Sequence, residues 1–342
     1  MFYAYSELCN RLGQKYALCL INNIMVVVNR NEHGNNNRDR CHKQFMAVIV
    51  GGHKMSENVV LTNLDKHPCY SHSAHFRYGR IHLPVAPECN LGCNYCDRQI
   101  GGVTYHYRPG VADRILTPRE ALSEVSQYVE DAKLTVVGIA GPGEPLYNSS
   151  TFETLRLVHN KYPELMLCLS TNGLLLPKYA GWLQDIGVRT ITVTLNTIEP
   201  SIGEKIYAYV RCYGRNSSSF LIDGEVLKGI EGAKVLLENQ LTGIEEAVRL
   251  GLVVKVNSIL IPGINDNGHL EKVAMIVKKL GVYIQNITPL IPLGKFKHLE
   301  APSCDELRRT RFQCEQIIKQ FRLCKQCRAD SVGIPGREHY MR

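Results

Sequence analysis

The strongest constraint on this chain is a rhythm that begins near residue 80. Short apolar runs rich in β-branched residues alternate with amphipathic segments. The runs Ile81–Ala86, Leu134–Ala140, Leu165–Thr171, Thr190–Leu195, Leu252–Ile261 and Val282–Ile287 predict strands. Between them, segments 118–131, 151–161, 177–186, 227–250 and 268–280 predict helices. The first helix carries its own start signal: Thr117 can cap, Pro118 takes the first helical position and Glu120 completes a T-x-x-E capping box. Parallel strands need crossover helices, so repeated β-α units predict a parallel sheet. The units span fewer residues than the ~250 of a full eight-stranded barrel. The expected fold is therefore α/β, a partial (βα)6 barrel. A further helix is expected over Asp305–Phe321, with CKQC following at Cys324–Cys327. The domain reading is a barrel over 55–300 and a C-terminal helix with a CxxC tail over 301–342.

Residues 1–54 lack this rhythm. They hold the Asn-rich HGNNNRDR at His33–Arg40 and no clear helix caps. Met55 opens a stretch that could itself begin a protein, so 1–54 is expected to be an atypical extension created by a mis-assigned start. The alternative is an authentic, poorly ordered extension. The apolar stretch Tyr16–Val28 is interrupted by Asn22 and Asn23, and no small-residue cleavage site follows, so it does not read as a secretion signal. No apolar run approaches the ~18 residues of a membrane span, which argues against a membrane partner. The net charge of +8 comes without a long Lys/Arg run, so no nucleic-acid partner is expected. The unusual number is 13 Cys in a chain that is 44% hydrophobic and has no need of disulfide staples. Thiols in such a cytoplasmic chain point to metal or redox chemistry.

In parallel α/β folds the chemistry sits on the loops after the strands. Cys89, Cys93 and Cys96 follow the first strand as C-x3-C-x2-C. Three thiolates on one short loop can hold three corners of a cubane cluster. The missing fourth thiolate leaves one iron open to a small chelating ligand. A zinc site, the bland alternative, is more naturally closed by a fourth Cys or His.

On these residues the chain resembles the radical S-adenosylmethionine (SAM) superfamily. The resemblance implies an enzyme in which a 4Fe–4S cluster on Cys89, Cys93 and Cys96 binds SAM through its open iron. Reductive cleavage then gives methionine and a 5′-deoxyadenosyl radical. It implies that GPGEP, with Gly141, Gly143 and Glu144, approaches the methionine amino group. It also implies that Ser170, Thr171, Asn172 and Asn196 contact the ribose and carboxylate. Each of those four reads equally well as a local turn cap. Asn257 and the following IPGIND could face the same mouth.

A closer resemblance is to the nitrogenase cofactor maturases within that superfamily. HPCYSHSAHFRYGRIHLPVAPECNLGCNYCDR (His67–Arg98), GPGEPLYN, LCLSTNGLLLP, VKVNSILIPGIND, NITPLIPLGKFKHLE and CKQCRADSVGIPG carry it, in order, over about residues 67–336. This implies fusion of two 4Fe–4S units into an 8Fe–9S cluster with a central carbide, the precursor of the nitrogenase cofactor. One SAM would donate a methyl group and a second would abstract hydrogen from it. Two further substrate clusters need soft ligands. The resemblance supports Cys69, His82 and Cys168 for one, and Cys324 with Cys327 for an edge of the other. His67 and His75 are competing imidazoles. Cys168 reads equally as a small hydrophobe and His82 as a core histidine. Cys304 and Cys314 are candidates to complete the CKQC site, and a redox CxxC is its rival reading.

The implied partners are SAM, cluster-donor proteins, an electron donor and a separate carrier or scaffold protein, since the chain ends soon after GIPGR. Two departures stand out. Tyr105, His106 and Tyr107 stand where the family carries an acidic residue before its RPG turn, and His106 could substitute for it. There is also an insertion, Arg211–Gly229, whose Asn-Ser-Ser-Ser core reads as a surface loop. They leave two alternatives open: a radical enzyme with another small-molecule or protein substrate, and a non-catalytic iron–sulfur carrier.

Overall fold

Every predicted strand forms, in sequence order. The computed structural model describes residues 16–21, 24–29, 64–102, 107–130, 133–212 and 224–341. Strands β1 (Gly79–His82), β2 (Leu134–Ile139), β3 (Met166–Thr171), β4 (Val188–Thr194), β5 (Val253–Leu260) and β6 (Ile284–Pro289) lie side by side, each parallel to the next. Beyond β1, the strands β7 (Ser331–Gly333) and β8 (His339–Tyr340) extend the sheet antiparallel. The sheet thus runs from β6 to β8 as an open, partial (βα)6 barrel.

Helices α1 (Pro118–Tyr128), α2 (Ser149–Lys161), α3 (Leu176–Asp185), α4 (Gly229–Arg249) and α5 (His269–Lys279) make the crossovers, and α6 (Cys304–Glu315) follows β6. The α1 capping box forms as expected: the Glu120 N–H donates to Thr117 Oγ1, and the Thr117 N–H donates to Glu120 Oε2 at 2.7 Å. An unforeseen second box joins Ser303 and Glu306 at the start of α6.

Alternation along the strands separates core from site. Leu167, Leu169, Ile191, Val193, Val254 and Val256 are fully or almost fully buried in the core with helix residues such as Val158, Leu183, Ala247 and Val277. The intervening Cys168, Ser170, Thr192, Thr194, Lys255 and Asn257 line a cavity on the other face.

The chain divides into two units, Met1–Ser56 and Glu57–Arg342. In the first, Tyr16–Ile21 and Ile24–Asn29 pair as an antiparallel hairpin, which the reading of 1–54 did not anticipate. The insertion has paired flanks. Its flanks Tyr207–Arg211 and Val226–Leu227 pair with each other, and the former also pairs with Leu91–Cys93. Tyr105, His106 and the Asn-Ser-Ser-Ser core lie outside the described residues. Among the described residues no helix is long and apolar enough to cross a membrane.

Candidate active site

The three-cysteine loop is held from three sides. Leu91–Cys93 pairs with Tyr207–Arg211, and the Asn94 side chain donates to the Lys205 carbonyl at 2.8 Å. On a second side the Phe296 N–H donates to the Asn94 carbonyl at 3.0 Å. On the third, GPGEP docks against the chain entering the loop. The Gly143 N–H donates to the Ala86 carbonyl at 2.6 Å, and the Glu144 N–H to the Glu88 carbonyl at 2.8 Å. A Cβ on Gly143 would stand 2.1 Å from the Glu88 oxygen. The backbone approach this glycine permits is therefore to the cysteine loop itself.

Cys89, Cys93 and Cys96 line a cavity of about 330 Å³. Burial, then the Glu144 carboxylate, pushes the Cys89 thiol up to about 11. Burial, then repulsion from Cys96 and Cys89, holds the Cys93 thiol well above the ordinary range. Such a trio resists ionisation on its own and suits a cationic centre that binds thiolates. Among the described residues, no three His, Cys, Asp or Glu groups converge on a single metal ion. The donors ring a cavity instead, which fits a polynuclear cluster better than one zinc ion.

The remaining expected ligands meet in the same cavity. Cys69, His82, Cys168, Cys324 and Cys327 all line it. His82, Gly138 and Cys168 stand in register on β1, β2 and β3. A Cβ on Gly138 would lie 3.2 Å from His82 Cδ2, so the glycine makes room for the imidazole. His82 Nδ1 lies 3.1 Å from the Arg328 carbonyl. Burial, with help from Arg80, lowers its pKa to about 3. The ring is therefore neutral, with its Nδ1–H donated to the carbonyl and its Nε2 lone pair left for a metal. Burial likewise pushes up the Cys69 and Cys168 thiols, and that of Cys327 to about 12. Arg80, wholly buried, donates to Cys327 Sγ at 2.9 Å and to the Gly333 carbonyl at 2.7 Å.

The competing residues go elsewhere. His67 Nδ1 accepts the Cys69 N–H, and His75 Nδ1 lies 2.8 Å from the Pro68 carbonyl, so both brace the Cys69 loop. Cys304 is exposed and Cys314 is buried in the core.

Of the expected SAM contacts, Gly143, Glu144, Ser170, Thr171 and Asn172 line the cavity, as does Asn257. Gly141 and Asn196 are not among the lining residues. Asn196 is fully buried. It accepts the Ile259 N–H and donates to the hydroxyls of Tyr95 and Tyr207. Tyr95 lies between Cys93 and Cys96, so Asn196 reaches the cysteine loop through Tyr95. The Glu144 carboxylate accepts from Thr171 Oγ1, the Leu146 N–H and the Asn172 N–H, at 2.6, 3.1 and 2.7 Å. It locks the loops after β2 and β3 together.

Sequence reasoning missed Gly138, Arg80, Tyr95 and Lys255. Lys255 carried a signal: it is the one charged residue in the run Leu252–Ile261.

A partial α/β barrel whose strand-end loop presents C-x3-C-x2-C to a central cavity defines a radical SAM enzyme. The family model of the radical SAM superfamily matches residues 83–275. The SuiB protein of Streptococcus suis, in its SAM-bound crystal structure, shares the fold with a TM-score of 0.52 at 13% identity, covering 78% of this chain and 54% of SuiB. The relatives narrow the class. The FeMo cofactor biosynthesis protein NifB of Methanocaldococcus jannaschii is 47% identical, over 82% of this chain and 89% of its own length. NifB of Methanocaldococcus infernus is 44% identical, over 79% and 86%. NifB of Klebsiella pneumoniae is 42% identical, over 80% of this chain and 57% of that longer relative. The chain belongs to the NifB family of radical SAM enzymes.

Proposed function

We propose that this chain fuses two 4Fe–4S clusters and inserts a SAM-derived carbide and a sulfur. The product would be the 8Fe–9S–carbide precursor of the nitrogenase cofactor. One observation carries the reading: five further soft donors share the cavity of the three-cysteine loop. A radical enzyme that needs only its SAM-binding cluster has no use for them.

In this reading Cys89, Cys93 and Cys96 hold the resident cluster, and the polar strand ends Ser170, Thr171 and Asn172 orient SAM beside it. When bound, that cluster supplies the electron that splits SAM into methionine and a 5′-deoxyadenosyl radical. Cys69, His82 and Cys168 hold one substrate cluster, and Cys324 with Cys327 grips an edge of the other. Arg80 offsets the Cys327 thiolate. The Ile139, Ile259, Leu290 and Ile291 side chains keep the reacting space poor in water. Cluster donors, a donor of the ninth sulfur, a reductant and a carrier for the product complete the cycle as partners.

The test is anaerobic reconstitution, followed by iron analysis, electron paramagnetic resonance with and without SAM, and assay of 5′-deoxyadenosine. Cys93→Ala should abolish SAM cleavage. Replacing Cys69 and Cys168 together by Ala should spare the SAM-cleaving cluster but lower the iron content and remove the eight-iron product. A fully loaded native chain holding only one cubane, or the double variant still making the product, refutes the reading.

A further inference from the structure

Lys255 is the buried charge that the roles above leave unused. It sits on β5 with 5% exposure, and the β5 alternation turns it into the cavity. Its Nζ donates to the Cys69 carbonyl at 3.3 Å and lies 4.8 Å from the Tyr70 ring and 5.6 Å from the Phe321 ring. No carboxylate of the described residues pairs with it. The acids that line the cavity are occupied elsewhere. Glu144 is spent on three hydrogen bonds, and Asp97 pairs with Arg108. A buried ammonium without a counter-ion is costly, and it persists where an anion is to be received. Beyond the aromatic wall and a single carbonyl contact, Lys255 shares the cavity with Cys69 and Cys168 and acts electrostatically on both thiols, so that is where the anion would sit.

We propose that Lys255 is a positioning residue for the substrate cluster: its fixed ammonium holds an anionic iron–sulfur unit against Cys69, His82 and Cys168 and sets that unit's reduction potential. The inference rests on the reading of those residues as cluster ligands. Thiolate ligands add negative charge to the cluster, and the ammonium beside them offsets it in a medium where water cannot. A cation at this range also favours the reduced, more negative form of the cluster. Loss of the cation therefore moves the midpoint potential downward.

The experiment uses the full chain with Cys89, Cys93 and Cys96 replaced by Ala, so that any bound iron reports the further sites. Lys255→Met and Lys255→Arg are compared on that background by iron content, redox titration followed by paramagnetic resonance, and melting of the metal-free chain. Lys255→Met should retain at least twofold less iron, and its remaining cluster should titrate at a more negative potential. Its metal-free chain should melt no lower than the parent, because methionine replaces an unpaired buried charge. Lys255→Arg should keep the iron and the potential. Equal iron and potential in Lys255→Met and its parent overturn the proposal. So does iron loss that comes with a lowered melting temperature and is shared by Lys255→Arg, since that marks a merely structural side chain. A parent that takes up no iron overturns the two-cluster reading as well, whereas an iron-loaded parent indifferent to Lys255→Met overturns this proposal alone.

Discussion

The Glu144 carboxylate accepts three hydrogen bonds, yet burial dominates them and lifts its pKa to about 7 from an ordinary 4.5. The consequence for stability has a definite sign. Between pH 4.5 and 7 the native state keeps a proton that the unfolded chain has released. This group's contribution to stability is therefore greatest at the acid end of that window. It is lost as the pH rises toward 7, by roughly 3 kcal/mol in all. Glu144→Gln, which stays neutral, should flatten that dependence in the metal-free chain, as read by urea denaturation across the window. Parallel slopes in the two proteins would show that the carboxylate is ionised throughout. At this scale the cysteines were legible because their spacing is rare, whereas Gly138 was not. A glycine in a strand has many possible causes, and only the register of β1 against β2 shows that this one clears space for His82. Asn196 was hard to read for a related reason. A polar residue at a strand end signals a contact, and the protein partners of this one are Tyr95 on the cysteine loop, Tyr207 and the Ile259 N–H.

Among the elements, the barrel strands and their helices were readable because each presents one apolar face at a fixed period. The short elements that brace the cysteine loop were not. Leu91–Cys93 and Tyr207–Arg211 are too brief to show a period, and their pairing joins residues more than a hundred positions apart. The GPGEP loop belongs with these braces. Gly143→Ala would drive a methyl group into the Glu88 carbonyl, where both sides of the contact are backbone and neither can rotate away. The cost should be about 3 kcal/mol. The loss should also be local: the SAM-cleaving cluster fails to assemble, while the donors on β1, β3 and the CKQC turn still take up iron. Iron content and SAM cleavage measured on the same preparation decide the point. Full cleavage activity in the variant would mean that the loop is held from its other two sides alone.

Across the whole molecule, candidate ligands from the two ends of the barrel chain meet at β1. His82 and Arg80 lie two residues apart on that strand. One is aligned by the Arg328 carbonyl, and the other grips Cys327 and Gly333, so the C-terminal tail and β1 set each other's geometry. The antiparallel pairing of Val332 with Ile81 keeps the two in register. None of this is visible along the sequence, because the CKQC turn lies some 240 residues from its partners. Arg80 joins the two halves by reaching a thiol, a carbonyl and the Glu338 carboxylate at once, the last at 3.3 Å. Lysine carries the same charge but cannot span those partners from one compact ammonium. Arg80→Lys should therefore cost about 2–3 kcal/mol in chemical denaturation, since a buried network loses donors without losing its acceptors. It should deplete iron first at Cys324 and Cys327, and leave the signal of the Cys89, Cys93 and Cys96 cluster with SAM unchanged. If instead Arg80→Lys retains iron at the tail with unaltered stability, the tail is docked by its strand pairing alone and the guanidinium is dispensable.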